Sequence, residues 1–174
     1  MSTWVALLRA VNVGGRKLPM ADLQRIVTEI GGSDVRTYLQ SGNVVFDGPK
    51  RVAAALEPAL TASCGFEVRV LLRTAAELAA VADQQPFATP RKAWHVTFLA
   101  SSPTAGAVQA LAPDGYGGDE FRVAGREVYL STPDGYGRTK LNNTFWERKL
   151  KTVATTRNWN TVEALRARCD DSRR

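Results

Sequence analysis

"VRTYLQSGNVVFD", residues 35–47, decides how this chain folds. Two short runs rich in β-branched and aromatic residues, "VRTYLQ" and "NVVFD", flank Ser41-Gly42. Such side chains suit a pleated, half-buried surface, and a small-residue pair between two such runs marks a tight turn, so the stretch reads as a β-hairpin. Pairing outward from a two-residue turn sets Leu39 against Val44, Thr37 against Phe46 and Arg36 against Asp47. The hairpin then has one apolar face and one charge-paired face.

Before the hairpin, residues 3–10 read as a strand that leads through "NVGGRKLP" into a helix over residues 19–30. Proline in the first turn and Gly31-Gly32 at the end mark its limits. After the hairpin come a helix over 50–63 closed by Gly65, a strand "FEVRVLL", and a helix opening at Thr74. The order is βαββαβ, then α. The second half echoes it: "AWHVTFLA" is a strand, 103–111 a short helix, "EFRV" and "REVYL" a hairpin turning at Ala124-Gly125, and 138–150 a helix. Pairing from that turn sets Phe121 against Val128 and Arg122 against Glu127. "TVATTR" supplies the last strand before a helix to about residue 168. The expected fold is α+β, two tandem ferredoxin-like βαββαβ subdomains with a C-terminal helix. The expected domains are 1–84 and 92–174, the second carrying the basic C-terminal helix, with residues 85–91 as linker.

The 174 residues are 44% apolar, enough for one sizeable core or two small ones. No apolar run approaches the roughly 20 residues of a membrane span and no secretory leader is evident, so the expectation is a cytoplasmic protein with no membrane partner. Cys64 and Cys169 match no metal spacing and read as free thiols of a reducing compartment. The single histidine, His95, lies inside a strand, so a multi-histidine metal site is excluded. No cofactor motif occurs.

Charge is unevenly placed. Residues 138–174 hold 10 Lys/Arg against 4 Asp/Glu, so the whole formal charge of +6 lies there. A positive segment attracts phosphates or acidic surfaces, and it also serves simply as solvated helix faces. The loop "NVGGRKLPM" enters a helix after a strand, so the amides around Gly14 and Gly15 suit an anion, with Asn12, Arg16 and Lys17 beside them. The same glycines equally supply positive φ for a turn, and neither the phosphate-loop nor the dinucleotide fingerprint is present. "PDGYG" occurs at 113–117 and 133–137, which brings Tyr116 and Tyr136 to one end of the second sheet. The second copy continues as Gly137, Arg138, Thr139 and Lys140 at an expected helix start, an anion site or a plain cap.

In "TTRNWNTV", residues 155–162, matching "RNWNTVEAL" to "LLRTAAEL" makes Asn160 the helix cap, with Glu163 as partner, in the way Thr74 pairs with Glu77. Trp159 then anchors the last helix, and Arg157-Asn158 are left as candidate ligand contacts. The ferredoxin-like sheet also supports RNA-recognition motifs, yet its face here offers only Tyr38 for stacking and no RNP signature. No Ser-His-Asp order, paired-carboxylate spacing or Cys-His pair marks an enzyme, and Ser41 fits a turn better than a nucleophile.

The run "ALLRAVNVGGRKLPMADLQRIVTEIGGSDVRTYLQSGNVVF", with "PDGYGRTKL" and "ATTRNWNTVEAL", resembles the bacterial domain-of-unknown-function 1697 family over about residues 3–165. The resemblance implies an α+β protein of duplicated subdomains with no established activity. Ala10 stands where it implies glycine in most members. Two functional expectations follow from the residues. One is a module binding a phosphate-bearing ligand, nucleotide or nucleic acid. The other is an enzyme on a small anionic metabolite in a cleft lined by Arg138, Lys140, Arg157 and Asn158, or else a partner-binding protein without catalysis.

Overall fold

The computed structural model describes residues 1–39 and 42–171. In the first half the elements are β1 (Ser2–Arg9), α1 (Met20–Glu29), β2 (Ser33–Thr37), β3 (Asn43–Gly48), α2 (Lys50–Cys64), β4 (Arg69–Thr74) and α3 (Ala75–Asp83). In the second they are β5 (Trp94–Leu99), α4 (Ala105–Gln109), β6 (Glu120–Ala124), β7 (Glu127–Ser131), α5 (Asn143–Leu150), β8 (Ala154–Asn158) and α6 (Trp159–Asp171). The strands form two four-stranded antiparallel sheets of matching order, β2-β3-β1-β4 and β6-β7-β5-β8. This is an α+β chain of two ferredoxin-like subdomains with a C-terminal helix. By internal contacts one compact unit comprises Met1–Ala82 with the chain from Glu163 onward, and the other Asp83–Val162.

In the first unit, apolar residues at helical spacing explain which helix faces turn inward. Leu23, Ile26 and Val27 of α1 and Val52, Ala53, Leu56 and Leu60 of α2 pack on Ala6, Leu8, Val44 and Phe46 of the sheet. Each fully buried Leu or Val contributes about 1.5–3 kcal/mol by leaving water. The other sheet face is apolar as well, with Val5, Leu7 and Val45 fully buried. In the second unit, Leu99, Val128, Leu130 and Ala154 pack with Leu141, Trp146 and Leu150.

Both hairpin registers differ from the expected ones by two residues. In the first, Arg36 pairs with Val45 and Thr37 with Val44, and the last ladder bond runs from the Tyr38 N–H to the Asn43 carbonyl at 3.0 Å. The connection is therefore longer than two residues, and Ser41 of the expected turn lies outside the described residues. Gly42 is required for another reason. A Cβ there would come within 2.6 Å of Val11 Cγ2 and 2.8 Å of Leu8 Cβ, at a φ of +85°. Arg36 ion-pairs with Asp34 at 3.2 Å instead of Asp47, and Asp47 accepts from the Thr3 hydroxyl at 2.6 Å. In the second hairpin Phe121 pairs with Leu130 and Arg122 with Tyr129, so Gly125-Arg126, not Ala124-Gly125, makes the turn. A two-residue slip keeps every side chain on its face, so the inward sets survive while the charge pairs do not.

The edge strand β2 is bulged between Ser33 and Arg36, with Asp34 at a φ of +49°. An irregular edge pairs poorly with another chain. Among the described residues no helix is long and apolar enough to cross a membrane.

Candidate functional site

The glycine loop folds on itself. Gly14 and Gly15, at φ +56° and +83°, form a turn in which the Arg16 N–H meets the Val13 carbonyl at 3.0 Å and the Asn12 N–H meets the Arg16 carbonyl at 2.5 Å. Asn12, itself at φ +56°, clamps the loop from both sides. Its Nδ2 donates to the Leu18 carbonyl at 3.0 Å and its Oδ1 accepts from the Leu18 N–H at 2.8 Å. Asn12 and the two glycines thus build the loop. Next to it, Asn12, Gly15, Arg16, Lys17, Leu18, Pro19 and Met20 line an open concavity of about 390 Å³ at the N-terminus of α1. The Arg16 guanidinium sits 5.7 Å from the Phe66 ring centroid, and Asp22 occupies the helix's first turn, opposing an anion there.

The segment after β7 departs from its expected form. Residues Tyr136–Arg138 make a single 3₁₀ turn and Thr139 is extended, so Gly137–Lys140 precede α5 rather than begin it. Thr139 is buried and accepts from the Leu141 N–H at 3.1 Å. The cap of α5 is Asn142, whose Oδ1 accepts from the Phe145 N–H at 2.9 Å. Around that helix start, Tyr116, Lys140, Asn142, Thr144, Phe145 and Arg148 line an open concavity of about 560 Å³. Lys140 and Arg148 are exposed, and no carboxylate lies within ion-pair distance of either among the described residues. Glu147, one residue before Arg148, directs Oε2 to the Ala154 N–H at 3.3 Å.

The two "PDGYG" tyrosines leave from the same end of the second sheet, since Glu120 pairs with Ser131 there. They do different work. Tyr136 stacks on His95 at 5.0 Å and 24°. Tyr116 donates its hydroxyl to the Ala112 carbonyl at 3.1 Å and meets Phe121 and Phe145 edge-to-face, each at 5.8 Å. Burial pushes the His95 imidazole below its ordinary range, more than its bond to the Ala93 carbonyl raises it. The ring is therefore neutral near pH 7.

At the β8–α6 corner the expected cap is corrected. The Asn158 Oδ1, not that of Asn160, accepts from the Thr161 N–H at 2.9 Å, and α6 begins at Trp159. Arg73 pairs with Val5 in the first sheet and Arg157 with Val96 in the second. Arg157 therefore matches Arg73, and Asn158 matches Thr74. The Thr74–Glu77 capping box forms as expected, at 2.8 and 3.2 Å. Trp159 is buried and meets Trp94 edge-to-face at 5.6 Å, the expected anchor. Arg157 is 6% exposed, with Nη1 donating to the Thr155 hydroxyl at 2.7 Å and the Thr156 carbonyl at 3.0 Å. Both residues have structural partners, and neither lines the concavity before α5.

Tyr38, the one aromatic that the sequence offered for stacking on that sheet face, carries the Arg168 guanidinium 4.4 Å from its ring centroid, and Arg36 donates to the Arg168 carbonyl. Burial, then the Asp22 charge, pushes the Cys64 thiol up, so it is no ready thiolate. The Tyr129 hydroxyl is pushed up to about 12 by burial and by Glu127 and stays protonated near neutrality. Among the described residues no three His, Cys, Asp or Glu cluster as metal ligands.

The structure thus gathers Asn12, Gly15, Arg16 and Lys17 at one concavity, with Gly14 in the adjoining turn, and puts Lys140 at another. Arg148, Tyr116, Asn142 and Phe145 were not among the expected site residues. Their signals were the second "PDGYG" copy's twin and the cation-rich run after "NNTFW", which only the position of α5 joins together.

Comparison with known proteins agrees with this architecture. A conserved bacterial protein, SP0830 from Streptococcus pneumoniae, superposes with a TM-score of 0.73 at 21% identity, over 98% of this chain and 99% of that one. At that identity the likeness shows the fold alone. No curated protein matches the chain. A family model described as "Protein of unknown function (DUF1697)" matches residues 1–129, which run from β1 into β7 and stop short of α5. With three quarters of its length inside that match, the chain belongs to the DUF1697 family.

Proposed function

We propose that the chain binds a phosphate-bearing ligand, a nucleotide or the phosphates of a nucleic acid, at the concavity before α5. One observation carries this reading: Lys140 and Arg148, with no ion-pair partner among the described residues, share a pocket of about 560 Å³ that contains no carboxylate. Two like charges held in one concavity repel each other, and an anion between them relieves that cost. The first turn of α5 adds unpaired amides and carries no acidic residue. Arg138, Lys149 and Lys151, all exposed, extend the positive field around it. The loop at Asn12, Gly14, Gly15, Arg16 and Lys17 is a weaker anion candidate, because Asp22 faces its helix end and Asn12 is committed to the loop. Two free thiols, Cys64 and Cys169, suit a cytoplasmic setting, and the repeated strand order suits an internal duplication.

Isothermal titration with inorganic pyrophosphate at 50 mM salt tests the reading. Binding is expected, and Lys140→Ala and Arg148→Ala are each expected to weaken it about tenfold, roughly 1.4 kcal/mol. Absence of binding, or binding that both substitutions leave unchanged, would overturn it.

A further inference from the structure

Resting on that phosphate reading, we infer that the concavity before α5 takes a free nucleoside monophosphate, whose base lies on the Tyr116–Phe145 wall while Lys140 and Arg148 hold its phosphate. The pocket has two chemically distinct sides. Its cations come from Lys140 before α5 and Arg148 one turn beyond the start of that helix. Its apolar surface comes from Tyr116 and Phe145, whose rings meet edge-to-face at 5.8 Å. A simple anion site needs no aromatic wall, whereas a ligand with a π-face and a phosphate uses both sides.

The Tyr116 ring is set in place before any ligand arrives. Its hydroxyl is tied to the Ala112 carbonyl at 3.1 Å, and its ring packs edge-to-face with Phe121 and Phe145. A ring with few remaining conformations loses little entropy when a base stacks on it. The twin residue Tyr136 shows the contrast, since its face is already stacked on His95 at 5.0 Å. Phe145 is likewise braced, edge-to-face on Trp146 at 4.9 Å, with the Lys149 ammonium 6.0 Å from its centroid. A concavity of about 560 Å³ falls in the size range of small-molecule sites and has room for one nucleotide. Stacking and the phosphate supply the main contacts, and among the polar lining groups the Asn142 Oδ1 is already committed to the Phe145 N–H.

Titrating the full chain with adenosine monophosphate, ribose 5-phosphate and a ten-nucleotide single-stranded DNA separates the possibilities. The inference expects adenosine monophosphate to bind at least tenfold more tightly than ribose 5-phosphate. Tyr116→Leu should bring that ratio down to about one, and Tyr116→Phe should retain it. Equal affinity for adenosine monophosphate and ribose 5-phosphate would overturn the inference and leave the phosphate reading standing. So would binding of the oligonucleotide without the mononucleotide. If neither phosphate compound binds, the phosphate reading falls and the inference with it. Circular dichroism of the Tyr116 variants identifies any that fail to fold, and Tyr116→Phe, which keeps the ring and its packing, then decides through the affinity ratio alone.

Discussion

Asn158 and Asn160 differ by two positions and by their whole physical role. The first accepts the Thr161 N–H at 2.9 Å and satisfies one of the free amides that every helix start leaves. The second is exposed on the helix that follows. Asn158→Ala should therefore cost about 1 kcal/mol, a loss of about 2–4 °C in melting temperature, while Asn160→Ala should change it by less than 1 °C. The reverse order in a thermal melt would restore the cap to Asn160. In the sequence the Asn-x-x-Glu spacing of Asn160 and Glu163 imitates a capping box, and nothing local shows that the helix is capped two residues earlier. The strand pairing does show it, because His95 lies opposite Asn158, and that long-range contact is invisible to a local motif. Ala10 shows the opposite case. The resemblance marked it as a position for glycine, and its backbone adopts φ +59°, the left-handed region that glycine occupies without strain.

At the scale of elements, alternation and turn residues made every strand of both sheets legible, together with the order in which they occur. The register was not, since a tight turn and a longer connection offer the same alternating runs, and only the packing of Gly42 on Leu8 and Val11 separates them. Helix α5 was misplaced for a related reason. Its expected start at Arg138 treated Gly137–Lys140 as a cap, whereas Thr139 and Asn142 each bond an amide two or three residues on and divide the segment into a turn and a helix. Trp146 fixes this junction. It is fully buried, donates Nε1–H to the Leu141 carbonyl at 3.0 Å, and meets Phe121 and Phe145 edge-to-face at 5.2 and 4.9 Å. Trp146→Phe removes volume and leaves that carbonyl buried without its donor, so it should cost about 2–3 kcal/mol in urea unfolding. Because the same bond holds the chain that carries Lys140, pyrophosphate affinity should fall in this variant as well. A variant that loses stability and keeps full affinity would separate the junction from the site.

At the scale of the whole molecule, net charge singles out residues 138–174 and overstates how many charges are available there. The +6 resides in residues 138–174, but Arg157 is buried and Arg168 lies on Tyr38. The exposed cations left from the end of the 3₁₀ turn up to β8 are Arg138, Lys140, Arg148, Lys149 and Lys151. Composition cannot make this distinction, because it counts a guanidinium that bonds its own strand the same as one that faces water. The number of available cations sets a limit that can be measured. Each phosphate neutralised releases counterions from a single strand and contributes about −0.7 to the slope of log affinity against log salt. If nucleic acid binds this surface, the slope for a single-stranded oligonucleotide between 50 and 200 mM salt should therefore be no steeper than about −3.5. Lys149→Ala and Lys151→Ala, which leave the pocket lining intact, should each flatten it by about 0.7. A slope near −6 would mean that cations outside residues 138–151 make contact, and the positive surface would then have to be redrawn around α6.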